Sequence, residues 1–266
     1  MKGLRVKPGT KVSLDDYDPA DTGRYRSAEE AADKLREHLD ELDRLQNLLY
    51  AEGRRALLIV LQGMDASGKD GTIRHVMSGL NPQGVTVTPF KVPNDEERAH
   101  DYLWRVHKVT PRYGQIAIFN RSHYEDVLAV RVHDLVPRKV WKNRYKQINF
   151  FERILTENEV VILKFFLHIS RDEQKRRLEE RLRDPKRHWK FSQKDVEERR
   201  HWAAYRKAYE DALSECSSKR APWYVVPADH KWYRNLVVAE TIVEVLRGLD
   251  LKYPEPAEDL SQIVID

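Results

Sequence analysis

Apolar positions along the chain follow two rhythms. Behind Ser27-Ala-Glu-Glu30, the spelling of a capping box, Leu35, Leu39, Leu42 and Leu49 recur at helical spacing. That predicts a long helix with one apolar stripe between charged faces. The rhythm then changes to strand-length segments at Leu57–Leu61, Gly84–Phe90, Gly114–Phe119, Val160–Ile169 and Trp223–Pro227, of which Leu57–Leu61 is an unbroken apolar run and Val160–Ile169 is apolar apart from Lys164 and His168. Runs without alternation are those of strands covered on both faces. Helical patterns separate them. One covers Thr72–Leu80, and one starts at Pro93–Glu97 and continues through Tyr102–Arg105. A third turns Ile148, Phe151 and Leu155 inward, and a fourth turns Leu178 and Leu182 inward until Asp184-Pro185 breaks it. A fifth, capped at Ser192–Asp195, carries Trp202, Tyr205 and Tyr209 as expected core aromatics, and the last spans Arg234–Leu249. Residues 1–26 read as an extended arm and Lys252 onward as a tail.

Strands alternating with helices imply an α/β fold, a three-layer α/β/α sandwich with a five-stranded parallel sheet. The expected organisation is an arm and helix over residues 1–55, then one domain over 56–266 with a helical lid around 171–192. Ligands of such sheets sit at the carboxyl ends of the strands. The loops after the first, third and fourth strands all leave from that edge.

Composition narrows the class. With 266 residues, 41% hydrophobic and 34% charged, the chain is long enough for a sizeable core and too apolar for disorder. The lone cysteine, Cys216, excludes an intrachain disulfide framework and a zinc cluster. No apolar run approaches a membrane span and no signal-peptide pattern opens the chain, so a soluble cytoplasmic protein without membrane partners is expected.

The densest chemistry follows the first strand. Gly63-x-x-x-x-Gly68-Lys69 matches the phosphate-cradling P-loop except at its last position, where Asp70 replaces Ser or Thr. Glycines let backbone N–H groups converge, the next helix aims its positive end there, and lysine adds a mobile charge. The candidate phosphate-binding residues are therefore Gly63, Met64, Ala66, Ser67, Gly68, Lys69 and Asp70. Asp65 reads as a Mg²⁺ ligand or a base, against a plain turn role. Asp70 also reads as an acid favoured in a first helical turn.

Two further segments carry candidates. Asn120–Asp126 directly follows the third strand and presents Arg121, Glu125 and Asp126 at the same edge. Between Arg171 and Lys190 nine basic residues face five acids, a surplus equal to the +4 of the whole chain. Arg177 and Arg181 lie one turn apart there; planar guanidinium forks suit phosphate, while i,i+4 pairing is the plainer role. Arg138–Lys146 adds five basic residues without an acid. Together the two basic segments could line an anion groove.

The blocks GMDASGKDGT, FNRSHYEDVL, DEQKRRLEERL with DPKRHWKFS, and APWYVVPADHKWYRN resemble, in order, the type 2 polyphosphate kinases. The likeness covers nearly the whole chain from the leucine-rich helix onward. It implies a P-loop kinase-like fold with a lid, and Mg²⁺-dependent phosphoryl transfer between inorganic polyphosphate and nucleotides, with Mn²⁺ as a substitute metal. Carried over by motif, Asp65, Lys69, Arg121 and Asp126 would be catalytic, with Asp65 and Asp126 holding metal. Arg121, Arg177, Arg181 and Lys190 would bind phosphate. Glu125-Asp126 is most similar to class III members, which accept AMP and ADP. Adenine or guanine nucleotides and a homo-oligomer are the expected partners, and nucleic acid is not. Two competing readings are an ATP-dependent nucleoside or small-molecule kinase and a non-catalytic nucleic-acid binder.

Overall fold

The computed structural model describes residues 3–263 and 265. Its elements are α1 (Ala28–Glu52), β1 (Ala56–Gln62), α2 (Lys69–Val76), β2 (Val85–Pro89), α3 (Asp95–Arg98), α4 (Trp104–His107) and β3 (Ile116–Asn120). They continue as α5 (Ala129–Val132), α6 (Arg138–Glu157), β4 (Val160–His168), α7 (Arg171–Arg183), α8 (Gln193–Glu198), α9 (Trp202–Cys216), β5 (Trp223–Pro227) and α10 (Lys231–Arg247). The five strands form one sheet of order β2-β3-β1-β4-β5, with every pair parallel.

β1 is central, and its side chains divide by parity because successive residues of a strand point to opposite faces. Leu58 and Val60 join Tyr145, Ile148 and Phe151 of α6 and Ala208 and Leu213 of α9. Leu57, Ile59 and Leu61 join Leu42, Leu45 and Leu49 of α1 and Val238 and Ile242 of α10. Two apolar cores thus sandwich the sheet, each fully buried aliphatic contributing about 1.5–3 kcal/mol relative to exposure. This is the three-layer α/β/α architecture expected. β3 and β4 flank β1, so the loop after β1 opens between them at the carboxyl edge.

The arm lies against the outer edge of β5: Val6 N–H donates to Trp223 O at 2.9 Å and Val225 N–H to Leu4 O at 2.8 Å. That pairing covers an edge otherwise left with unpaired backbone groups.

Several local expectations change. The helix expected from Pro93 to Arg105 is two short helices, α3 and α4. The helix expected from Ser192 is broken into α8, a 3₁₀ turn at Arg199–His201 and α9. Leu182 is 52% exposed rather than inward, since α7 touches the molecule mainly through Gln174, Arg177 and Leu178. Lys164, the one charge inside β4, is fully buried. Its ammonium donates to Glu152 Oε2 at 2.5 Å, Cys216 O at 2.6 Å and the Tyr124 hydroxyl at 2.9 Å.

Candidate active site

Gly63 and Gly68 are required by geometry. A Cβ on Gly63 would stand 2.9 Å from Leu167 O, and Gly68 has φ +105°. Ala66 and Arg121, at φ 61° each, are non-glycine residues in the left-handed region that flank the same hollow. Such strain persists where surrounding contacts over-determine it, and it concentrates at working sites. Gly68 caps α2 and Lys69 opens it, so the N–H groups of that first turn have no earlier carbonyl of their own helix to bond. The loop, with Gly71, lines a hollow of about 460 Å³ closed by Phe90, Lys91, Asn120, Arg121, Arg181, Trp189, Lys190 and Asp195.

Lys69 is buried and donates to Gly63 O at 2.6 Å and Met64 O at 3.3 Å. Burial, with Arg121 adding to it, lowers its pKa to about 8. Arg121 donates to Asp65 Oδ1 at 2.6 Å and lies 3.5 Å from Glu125 Oε2. Asp65 and Glu125 also line one small cleft against Gln174, Arg199 and Tyr205. Glu125 Oε1 is buried without a hydrogen-bond partner. Two carboxylates beside a phosphate cradle, one with an orphaned oxygen, suit Mg²⁺, which takes one or two carboxylates and fills its shell with phosphate oxygens and water. Asp70 accepts from Asn120 Nδ2 at 2.7 Å on the hollow's wall.

Two expected residues are placed elsewhere. Asp126 accepts from Arg144 Nη1 at 3.0 Å and lines neither the hollow nor the cleft. Burial raises its carboxyl to about 6. It is a partner of α6, and Glu125 takes the place beside Asp65. Arg177 is buried with every donor occupied: Nε on Glu173, Nη1 on Ala66 O and Ser67 O, Nη2 on Ala228 O and Asp229 O. It braces the loop from behind, and none of its N–H groups is left for phosphate. Arg181 does reach the hollow, donating to Asp195 Oδ2 at 2.9 Å, and Lys190 stands beside Trp189 there. Trp202 and Tyr205 are only half-buried and edge the cleft, while Tyr209 is core.

Some residues at the site gave no chemical signal in sequence. Gln62 ends β1 fully buried, with its Nε2 donating to Ser122 Oγ at 3.1 Å, which ties the two loops together. Gln174 Nε2 donates to Asp65 O at 2.8 Å. A polar residue ending an apolar strand was the one visible hint for Gln62.

A parallel sheet with a glycine-lysine loop at its switch point and cations around the hollow defines a P-loop phosphotransferase of the kinase type. The model of the polyphosphate kinase 2 family matches residues 25–254, and the chain belongs to that family. It is 52% identical over 267 residues to the AMP/ADP-polyphosphate phosphotransferase of Meiothermus ruber, covering 100% of both chains. It is 46% identical to the ADP-polyphosphate phosphotransferase of Rhodopseudomonas palustris, covering 96% of this chain and 92% of that one. The crystal structure of polyphosphate kinase 2 from Arthrobacter aurescens TC1 is similar at TM-score 0.94 and 43% identity, covering 98% and 93% of the two chains.

Proposed function

We propose that this enzyme transfers a phosphoryl group between inorganic polyphosphate and adenine or guanine nucleotides, AMP or ADP in the adenine case, in the cytoplasm. The observation that carries the reading is one hollow holding the glycine-lysine loop, Lys69, Arg121, Arg181 and Lys190, with Asp65 on its wall and Glu125 in the adjoining cleft, both paired to Arg121. Phosphoryl transfer asks a protein for alignment and neutralised oxygens more than for covalent help. The amides and Lys69 grip adjacent phosphates. Arg121 swings between its carboxylates and the transferring group, and Arg181 and Lys190 close over it. Asp65 and Glu125 would hold Mg²⁺, which supplies charge neutralisation across neighbouring phosphates. The apolar surface of α6 at Phe150 and Ile154, both exposed, supports self-association.

The test is a mass-spectrometric assay of AMP and ADP with polyphosphate and Mg²⁺, run beside Asp65→Asn. Product with polyphosphate and no ATP is expected, falling about 10²-fold or more in the variant. Turnover that needs ATP and ignores the polymer would favour an ordinary nucleoside kinase. Equal rates in parent and variant would remove Asp65 from the mechanism.

A further inference from the structure

Arg234, in the first turn of α10, carries a buried positive charge that no carboxylate answers. It is 2% exposed. Its Nε and Nη2 donate to Asn235 Oδ1 at 3.2 and 2.9 Å, and its Nη1 donates to Ser67 O at 3.2 Å. Among the described residues it makes no ion pair. Arg177, another cation, bears on it; burial, with Arg177 adding to it, lowers Arg234 to about 9. Arg177 by contrast has Glu173 at 2.7 Å. Buried charges are ordinarily paired, so an unanswered one marks a place where something else is arranged around it.

Its position says what. A Cβ on Gly68 would fall 1.8 Å from Nη1, and one on Gly71 3.3 Å from Nη2. The guanidinium therefore lies directly behind the loop whose opposite side faces the hollow. Ser67 O already accepts from Arg177 at 3.1 Å, so bracing that carbonyl does not require a second cation. In so dry a place the field crosses the thin loop with little screening.

We propose that Arg234 is a positioning residue whose counter-charge is the phosphate bound on the far side of the loop. The proposal rests on the phosphate-binding reading of that hollow. Ligand-free protein holds the charge uncompensated, and a polyanion relieves it, so part of the binding energy is stored in α10 before substrate arrives. The arrangement also explains why residue 68 must lack a side chain on the face turned from the substrate.

Melting curves of the full chain test this, with Mg²⁺ and with or without tripolyphosphate, in the parent, Arg234→Met and Arg234→Lys. KM and kcat for polyphosphate are measured in parallel. Without phosphate, Arg234→Met should melt at or above the parent temperature, because an unpaired buried charge has gone. Its affinity for tripolyphosphate and its KM for polyphosphate should worsen about tenfold, with a smaller change in kcat, and Arg234→Lys should fall between. Affinity within twofold of the parent in Arg234→Met would overturn the proposal. So would failure of that variant to fold, or melting several degrees lower without ligand, since Arg234 would then be a structural brace. A parent that does not respond to tripolyphosphate would overturn the reading of the hollow as well; a response equal in parent and variant would overturn only the role of Arg234.

Discussion

Lys69 is the loop residue whose charge depends on pH near the working range. Burial, with Arg121 adding to it, brings it from 10.5 to about 8. Between those two values the unfolded chain holds the proton and the folded chain does not. Ligand-free stability therefore rises with pH across that window, and this contribution is lost as pH falls through about 8. Binding runs the other way, because the phosphate needs the ammonium. Above pH 8 the KM for polyphosphate should climb, approaching tenfold per unit, in initial-rate series from pH 7 to 9.5. A flat KM over that range would show that Lys69 does not grip phosphate in its charged form. Gly63, Lys69 and Asp65 were legible because backbone turn chemistry confines them to a short spacing. Arg177 and Asp126 were not, because a guanidinium or carboxylate turned inward is spelled the same as one turned toward substrate.

Elements act as levers on the site. α7 meets α8 and the segment before it through Arg181, which donates to Asp195 Oδ2 and to Lys190 O, so both sides of the hollow's mouth share one guanidinium. Arg181→Ala should raise the KM for polyphosphate about tenfold while its melting temperature stays within about 2 °C, as a single ion pair still reached by solvent contributes little to folding. Unchanged kinetics with long chains would dismiss Arg181. α6 and β4 work from beneath: Glu152 accepts from Lys164 and from the Tyr124 hydroxyl at 2.7 Å, and sits 3.3 Å from His123 Nε2. The turn after β3 is thereby pinned to a buried ion pair. Lys164→Met takes from buried Glu152 its ammonium partner and should cost about 3–5 kcal/mol in urea unfolding, with Lys164→Met/Glu152→Gln recovering part of it. A single substitution that unfolds like the parent would mean the pair is already neutral.

Across the whole molecule the positive field is distributed differently from the count along the chain. The cations of 171–190 are largely consumed locally: Arg176 by Glu173 and Glu180, Arg187 by Asp184 and Glu180, Arg183 by Glu179. Arg138, Lys139, Lys142 and Lys146 are exposed and, among the described residues, make no ion pair. They line a groove of about 1000 Å³ between α6 and α9. Arg138 and Lys139 stand in the first turn of α6, against the helix dipole, so folding does not favour them there. Replacing Lys139, Lys142 and Lys146 together by Gln should raise the KM for long polyphosphate several-fold, leave tripolyphosphate unaffected and flatten the salt dependence. Equal effects on both chain lengths would place the three lysines outside the polymer's path.

The chain's own letters determined the layers, the strand boundaries and the loop after β1, because burial on two faces, a glycine-lysine turn and helical spacing are local rules that neighbours in sequence enforce. They also spelled out the blocks that tie the chain to its family. Tertiary structure alone decided which charges face the hollow. Arg177 and Arg181 are one turn apart on α7, yet the former is sealed behind the loop and the latter opens into it. Glu125 and Asp126 are adjacent, yet only one stands beside Asp65. The use of a charged side chain depends on what distant elements bring within a few ångströms, as α10 brings Arg234 beneath Gly68, and no periodicity along the chain carries that information.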